Sequence, residues 1–527
     1  MLLLYNATFY TMQPAQPIVE ALAIQAGKIV AAGSKAEAEA ALPAGAQRLN
    51  LHGAAVLPGL TDSHIHLQHY ALGLKYVDCE TSTRRECLQR VQLAAQKTPP
   101  GYWVRGHGWN QNVWEEGFGS AQLLDEIAPH HPVYLTAKSL HAGWANSLAL
   151  QAAGIDRNTP DPPDGRIQRD EHGNPTGILF ESAMRLIEQV IPEATLPEVR
   201  EAIAAAQSNL WSMGLTAVHD FDRRLCFMAL QELEQAGRLK MRVVKSVPLE
   251  NLDDAVEVGL RSGFGSQWLR IGSVKCFADG ALGPQTAAML QPYEGSGAET
   301  GILFLDSEQI VEIGQRAAGS GLSLAIHAIG DRANHEVLKA YAQLRQIEEQ
   351  MNLPHLRHRI EHVQVLHPDN LAQLAQFDII ASMQPIHATS DMDIADQYWG
   401  KRARYAYAFQ TLLSRGTRLT FGSDAPVESP NPFWGIHAAV TRQRQNGRPS
   451  PQGWYPEERL TLQHALEAYT INPAYTAGWE RELGKLQPGY HADLIVLDED
   501  PTRTPPQQLF QLQPVRTMVA GEWVWER

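Results

Sequence analysis

Cysteine is scarce in this sequence. Four residues, Cys79, Cys87, Cys226 and Cys276, are spread over 527. They form no C-x-x-C pair and are too few for a disulfide framework, so a reducing cytoplasm is the expected compartment. Charge is also sparse. Charged residues make up 19%, below the usual share of about 25%. There is no basic block, and Lys+Arg 44 against Asp+Glu 58 gives a net charge of −14. Nucleic acid is therefore not an expected partner. No apolar run reaches the ~18 residues of a membrane span. Met1–Ala7 lacks the basic n-region and the long apolar core of a signal peptide. Solenoid repeats and low-complexity tracts are missing too. What is plentiful is apolar side chain, 44% of the residues, enough for a large core. The chain is too long for one ordinary domain, although α/β barrels often exceed about 250 residues as single units.

The two ends read alike. Leu2–Tyr5, Ala21–Ile24 and Lys28–Gly33 are strand-like, with Ala26-Gly27 suited to a tight hairpin turn. Ala492–Asp498, Val515–Ala520 and Trp523–Trp525 follow the same pattern near the other end. No one of these folds alone, so residues 1–55 and 483–527 are expected to form one small β unit. Two unrelated edge hairpins are the plainer alternative. Between the ends, apolar strand-like runs alternate with helical stretches, the pattern of parallel βα units. A buried run, Ala54–Pro58, is expected to deliver Gly59–Leu67. Further strands are read at 216–220, 241–245, 271–277, 322–327, 359–363, 379–383 and 419–424, with helices that include 199–212, 308–318, 333–350 and 461–471. Eight strands close a (β/α)8 barrel, placed here within 56–482. Residues 70–195 do not fit the eight and read as an insertion after the first strand. Active sites of such barrels lie at the C-terminal strand ends, where this insertion would emerge as a wall or lid.

The strand ends carry the chemistry. His64 and His66 lie two apart, so both imidazoles point to the same side of a strand; such a pair suits a borderline-soft divalent metal such as zinc. An H-x-H alone is a weak signal, since 20 His in 527 residues produce about one by chance. The other ends give it weight. Lys275 stands at the fourth, His327 at the fifth, His362 at the sixth and Asp424 at the eighth. Four imidazoles, one carboxylate and one lysine suffice for two divalent ions. An ammonium cannot ligate, but a neutral lysine amine takes up CO2 to give a carbamate, an anion that can bridge two ions and offset their charge. Each residue alone has a plainer explanation: a hydrogen-bonded histidine, a snorkelling lysine, an Asx cap for Asp424. Cys276, next to Lys275, points to the opposite face.

These residues resemble the amidohydrolase superfamily, and within it the YtcJ-like branch, amidohydrolase family 3. The matching stretches are Leu57–His66, Lys275–Gly283, His327–Ala333, Ile360–His362, Gly422–Pro426 and Leu486–Asp493. The resemblance implies a distorted (β/α)8 TIM barrel, a small β-sandwich from both termini, and His64, His66, Lys275, His327, His362 and Asp424 as metal-site residues, with Lys275 carboxylated. It also points to His141 in the insertion as an active-site residue, although Ser139 stands where the branch usually has a small or acidic residue. A homodimer is a habit of the family.

The expected reaction is hydrolysis of an amide-type C–N bond in a small molecule. Hydroxide at two divalent ions, zinc foremost, attacks the carbonyl. Asp424 shuttles the proton, and His141 helps polarise the carbonyl oxygen. Softer substrate-binding candidates are Trp109, Asn110 and Trp114 in the insertion and His387 after the seventh strand. The tryptophans could equally anchor the insertion's own core. A mononuclear deaminase of the same superfamily, a phosphotriester or carbamate hydrolase, and a catalytically silent scaffold are the alternatives. Manganese, iron and cobalt would tolerate the same ligands.

Overall fold

The computed structural model describes residues 1–111, 114–137, 142–163 and 165–527. Eight parallel strands follow one another around a nearly closed barrel: Leu60–Ile65, Leu215–Asp220, Arg242–Pro248, Leu269–Phe277, Leu324–Ala328, Arg359–His362, Ile380–Met383 and Leu419–Phe421. They are the eight runs expected from the sequence, with ends shifted by a few residues. Most of their residues are buried on both faces, which is why they read as continuous apolar runs rather than alternating ones. The seam between first and eighth strands closes just beyond the last ladder. Ile65 bridges Ala425, the Asp424 N–H donates to the His64 carbonyl at 2.7 Å, and the His66 N–H donates to that of Ala425 at 2.9 Å. Metal-ligand candidates from opposite ends of the barrel sequence are thus neighbours.

One expectation is corrected. Ala54–Pro58 does not carry His64 and His66 into the barrel. It ends the strand Gln47–Pro58, which pairs with Leu2–Tyr10 and Leu494–Leu497. The chain changes sheet at Gly59, where a Cβ would fall 2.2 Å from Thr216 Oγ1. Only glycine passes so close to the second barrel strand, and its presence separates what reads as one apolar run.

The strands of both chain ends form one seven-stranded sheet, in the order Glu522–Glu526, Pro514–Val519, Leu494–Leu497, Gln47–Pro58, Leu2–Tyr10, Ile18–Gln25 and Lys28–Gly33. Ala26 and Gly27 both take positive φ, 50° and 78°, as the expected two-residue hairpin requires. Leu4, Phe9, Leu22, Val56, Leu494 and Met518 pack the core of this sheet. Arg242, at the start of the third barrel strand, makes a bidentate ion pair with Asp493 (Nε–Oδ2 2.6 Å, Nη2–Oδ1 2.9 Å), buried on both sides.

Residues Ala71–Glu198 form a second compact unit. Its six-stranded sheet runs Gly165–Arg169, Pro175–Glu181, Ala142–Ala145, Val133–Ala137, Val104–Trp109 and Val77–Asp78. Trp109, Trp114 and Trp144 meet in its core at centroid separations of 6.2–6.3 Å. Among the described residues, no helix is long and apolar enough to cross a membrane.

Candidate metal centre

The candidate ligands are oriented before any ion is considered. His64, on the first barrel strand, has its Nδ1 2.6 Å from Glu361 Oε2, and Arg359 Nη2 donates to that same oxygen at 2.9 Å. His64 Nε2 is left facing Asp424, 3.5 Å from Oδ1. His66 repeats the arrangement. Its Nδ1 lies 3.1 Å from Asp222 Oδ1 and its Nε2 3.4 Å from Asp424 Oδ1. On the sixth strand, His362 has its Nδ1 2.9 Å from Gln384 Oε1. His327 has its Nε2 2.9 Å from the Gly280 carbonyl, and its ring lies 4.5 Å from that of His362. Each imidazole therefore has one nitrogen fixed by an outer partner and one left over. This outer support is what sets the tautomer and ring direction of a metal-binding histidine.

Among the described residues, two of the sets of donor atoms gathered within 4.8 Å contain Asp424: His64, His66 and Asp424, and His362, His387 and Asp424. Asp424 belongs to both. Asp424 and His362 hold φ of 59° and 74°, the left-handed region that non-glycine residues seldom occupy. Such backbone persists where surrounding structure over-determines it, commonly at functional sites. The turn at His362 has a direct effect. Side chains of adjacent strand residues face opposite ways, yet Glu361 supports His64 while the His362 ring sits 4.9 Å from it.

Electrostatics divides the group. Burial, reinforced by Lys275, pushes His64 down to about 4 and His327 to about 3; burial, with His327 beside it, also carries His362 well below the usual imidazole range. These rings are neutral and keep the lone pair that ligation needs. Burial opposes charge on His66 as well, but Asp222 and Asp424 outweigh it and push that ring up to about 10. Burial likewise opposes charge on Asp424, but the imidazoles, His64 foremost, hold its carboxyl well below the usual range. Lys275 is buried, and its Nζ has no hydrogen-bond partner among the described residues. The Nζ lies 4.8 Å from the ring centres of both Phe221 and Phe277. Burial drives its amine down to about 8, with Glu361 and Asp424 acting in the opposite sense.

This donor set fits a divalent cation. Neutral imidazole nitrogens converge on one carboxylate, the local field favours a positive charge at His66, and two buried nitrogens, Lys275 Nζ and His387 Nε2, lack any partner. A buried polar group without a partner is costly, and both lie at the ends of barrel strands or just beyond them.

The remaining candidates separate. Trp109 and Trp114 are 0% and 3% exposed in the core of the 71–198 unit. Their indole N–H groups donate to the carbonyls of Leu135 and Thr81. Burial and satisfied N–H groups commit both rings to that core rather than to a ligand. Asn110 is half-buried at the end of Val104–Trp109, its carbonyl accepting from the Trp114 N–H. His141 lies outside the described residues. Reading strand ends alone passed over Glu361, Asp222 and Gln384. Asp222, two residues beyond the second strand, obeys the strand-end rule already applied to the histidines. Glu361 is hidden by alternation, which the backbone at His362 breaks.

Beside the centre is a cavity of about 430 Å³, lined by His66, Lys275, Phe221, Phe277, Leu249 and Phe304 among others. Phe277 and Phe304 are about half exposed, at 49% and 50%. Of the lining side chains, Arg223 is paired with Glu250 at 3.4 Å. The wall offered to a ligand is apolar with a neutralised rim.

Residues 47–525 match the model of the Amidohydrolase family. The chain is 33% identical to the putative amidohydrolase YtcJ of Bacillus subtilis (strain 168) over 99% of each protein. It is 30% identical to the N-substituted formamide deformylase of Arthrobacter pascens, over 100% of this chain and 98% of that enzyme. The crystal structure of an uncharacterized metal-dependent hydrolase from Pyrococcus furiosus superposes with a TM-score of 0.78 at 32% identity, covering 95% of this chain and 100% of that one. The chain belongs to the amidohydrolase family, in its YtcJ-like branch.

Proposed function

We propose that the protein hydrolyses an amide-type C–N bond of a small, uncharged molecule with an apolar substituent. The observation that carries this reading is Asp424, shared by two sets of imidazoles, one of which includes His66 in the wall of a cavity that phenylalanines also line. His64, His66, Lys275, His327, His362 and Asp424 would hold two divalent ions, zinc the first candidate, with Lys275 as a carbamate. Ions held there would supply a water whose pKa is lowered toward about 7 and a Lewis acid for the carbonyl. The chain's own residues do the rest. The Asp424 carboxylate accepts the water's proton as the new C–O bond forms, then gives it to the departing nitrogen as the C–N bond breaks. Glu361 and Asp222 keep His64 and His66 in the orientation this needs. The Lys275 amine, held low by burial and lacking an acceptor, is available in the neutral form that combines with CO2.

Phe277, Phe304 and Leu249 support an apolar or aromatic group on the substrate, since pockets gain affinity mainly from such walls. The pairing of Arg223 with Glu250 disfavours a substrate that needs a free cation for a carboxylate. The relative that removes formyl groups from N-substituted formamides gives the first compounds to try. The same reading takes the sheet built from both chain ends as a small accessory unit and the eight-stranded barrel that begins after Gly59 as the catalytic one.

The test is elemental analysis of the purified protein, followed by release of formate or carboxylate from N-benzylformamide and longer N-acyl benzylamines, beside N-acyl amino acids. Two metal equivalents and turnover of the uncharged amides are expected. A protein that takes up metal yet releases no amine from any of them refutes the hydrolase reading.

A further inference from the structure

His387 meets His362 and Asp424 yet is not one of the six residues assigned above to hold the ions. It lies on the helix Pro385–Ser390, which begins two residues after the seventh barrel strand. It is 7% exposed, and its Nε2 has no hydrogen-bond partner among the described residues. A histidine serving only as core filler would normally satisfy that nitrogen, because burying it unpaired costs stability. Its ring lies parallel to that of His362, at an interplanar angle of 6° and a centroid distance of 6.3 Å. Its donor atom falls within 4.8 Å of donor atoms on both His362 and Asp424.

The helix is pinned from several sides. Arg444 Nε donates to the Thr389 carbonyl at 2.8 Å and its Nη2 to that of Ser390 at 3.0 Å. Asp391 donates its N–H to the His387 carbonyl at 2.8 Å and accepts from the Tyr407 hydroxyl at 2.6 Å. Gln384, just before the helix, holds His362. The exit of the seventh strand therefore orients one imidazole of the pair and supplies the other. Among the described residues, His327 belongs to neither donor set that contains Asp424.

We propose that His387 is a metal ligand, completing with His362 and Asp424 a donor set separate from that of His64 and His66, with Asp424 common to both. The proposal rests on the metal-dependent reading above and adds a residue to it. Two imidazole nitrogens and a carboxylate oxygen suit zinc, iron, manganese or cobalt. The arrangement makes the seventh strand a contributor to the centre.

The experiment compares full-length wild type, His387→Ala, His387→Gln and His66→Ala, each stripped and reloaded with zinc. The readouts are zinc per chain and the rate of zinc loss to a chelator, with thermal unfolding of the stripped proteins as a check on folding. Wild type is expected to hold two equivalents. Both His387 variants should hold one, or lose the second at least about tenfold faster, the lower end of what even an outer-sphere change produces. His66→Ala should deplete the other equivalent. Unchanged stoichiometry and stripping rate in a folded His387→Gln protein overturn the assignment while leaving the hydrolase reading in place. A wild type that takes up no zinc, manganese, iron or cobalt overturns both.

Discussion

Two lysines sit on neighbouring barrel strands, both buried, and their surroundings have opposite effects. Lys245, on the third strand, is 2% exposed, with its Nζ 2.9 Å from Asp220 Oδ2 and a second bond to the Asp222 carbonyl. Burial opposes its charge, but Asp220 outweighs that and raises its pKa above the ordinary value. Lys275, on the fourth strand, has no such acceptor, and burial lowers its amine to about 8. Burial alone therefore does not mark a reactive lysine. An ammonium matched by a carboxylate is a structural ion pair; an amine left without one is ready for chemistry that consumes its lone pair. The difference lies in one residue, Asp220, on the strand next to Lys245.

The strongest way to break the comparison is to remove the unpaired amine. Lys275→Ala should reduce turnover to background and lower bound metal while the barrel remains folded. Turnover near wild type would show that Lys275 is no part of the centre and favour a mononuclear arrangement. Asp424→Asn removes the proton acceptor without changing the side chain's size. A loss of about 10²–10⁴-fold in kcat is expected from acid–base catalysis alone, with folding retained in circular dichroism. Lys245→Met should behave in the contrary manner. It leaves Asp220 buried and unpaired, so about 3–5 kcal/mol of stability should disappear, seen as a lower urea midpoint. The metal content of whatever remains folded should be unchanged.

pH sharpens the same contrast in the metal-stripped protein. Lys275 titrates lower folded than unfolded. Between about 8 and its ordinary value the unfolded chain binds the extra proton, so stability should rise with pH across that window. Lys245 titrates higher folded than unfolded, so its contribution is full below the ordinary lysine value and is lost as pH rises through the folded one. Lys275→Met should abolish the first slope and spare the second in denaturant titrations. The smallest effect is expected at the cavity wall. Phe304→Ala, at a half-exposed ring, should raise KM for aromatic amides several-fold, in keeping with about 1 kcal/mol, the low end for one apolar contact, with kcat little changed. An equal loss on formamides without an aromatic group would assign Phe304 to the loop's stability rather than to specificity.

Much of this molecule is legible in order along the chain. The eight strands, the terminal hairpin at Ala26-Gly27 and the convergence of His64, His66, His362 and Asp424 follow from local patterns and from the rule that barrel sites gather at strand ends. Three features do not. Gly59 divides one apolar run between two sheets because of a contact with Thr216, 157 positions away. Trp109 and Trp114 read either as ligand contacts or as core until the packing of the 71–198 unit places both in its core. The positive φ at His362 breaks the alternation from which strand faces are read.

The sequence alone determined the residue types and their periodicity, hence a barrel and the chemistry that its strand ends can perform. Only the tertiary structure decided which donors are occupied and which are free. Charge pairing and hydrogen bonding depend on distances across the barrel. Asp220 neutralises Lys245, Glu361 turns His64 and no acceptor reaches Lys275, and none of these relations is written in neighbouring positions of the chain.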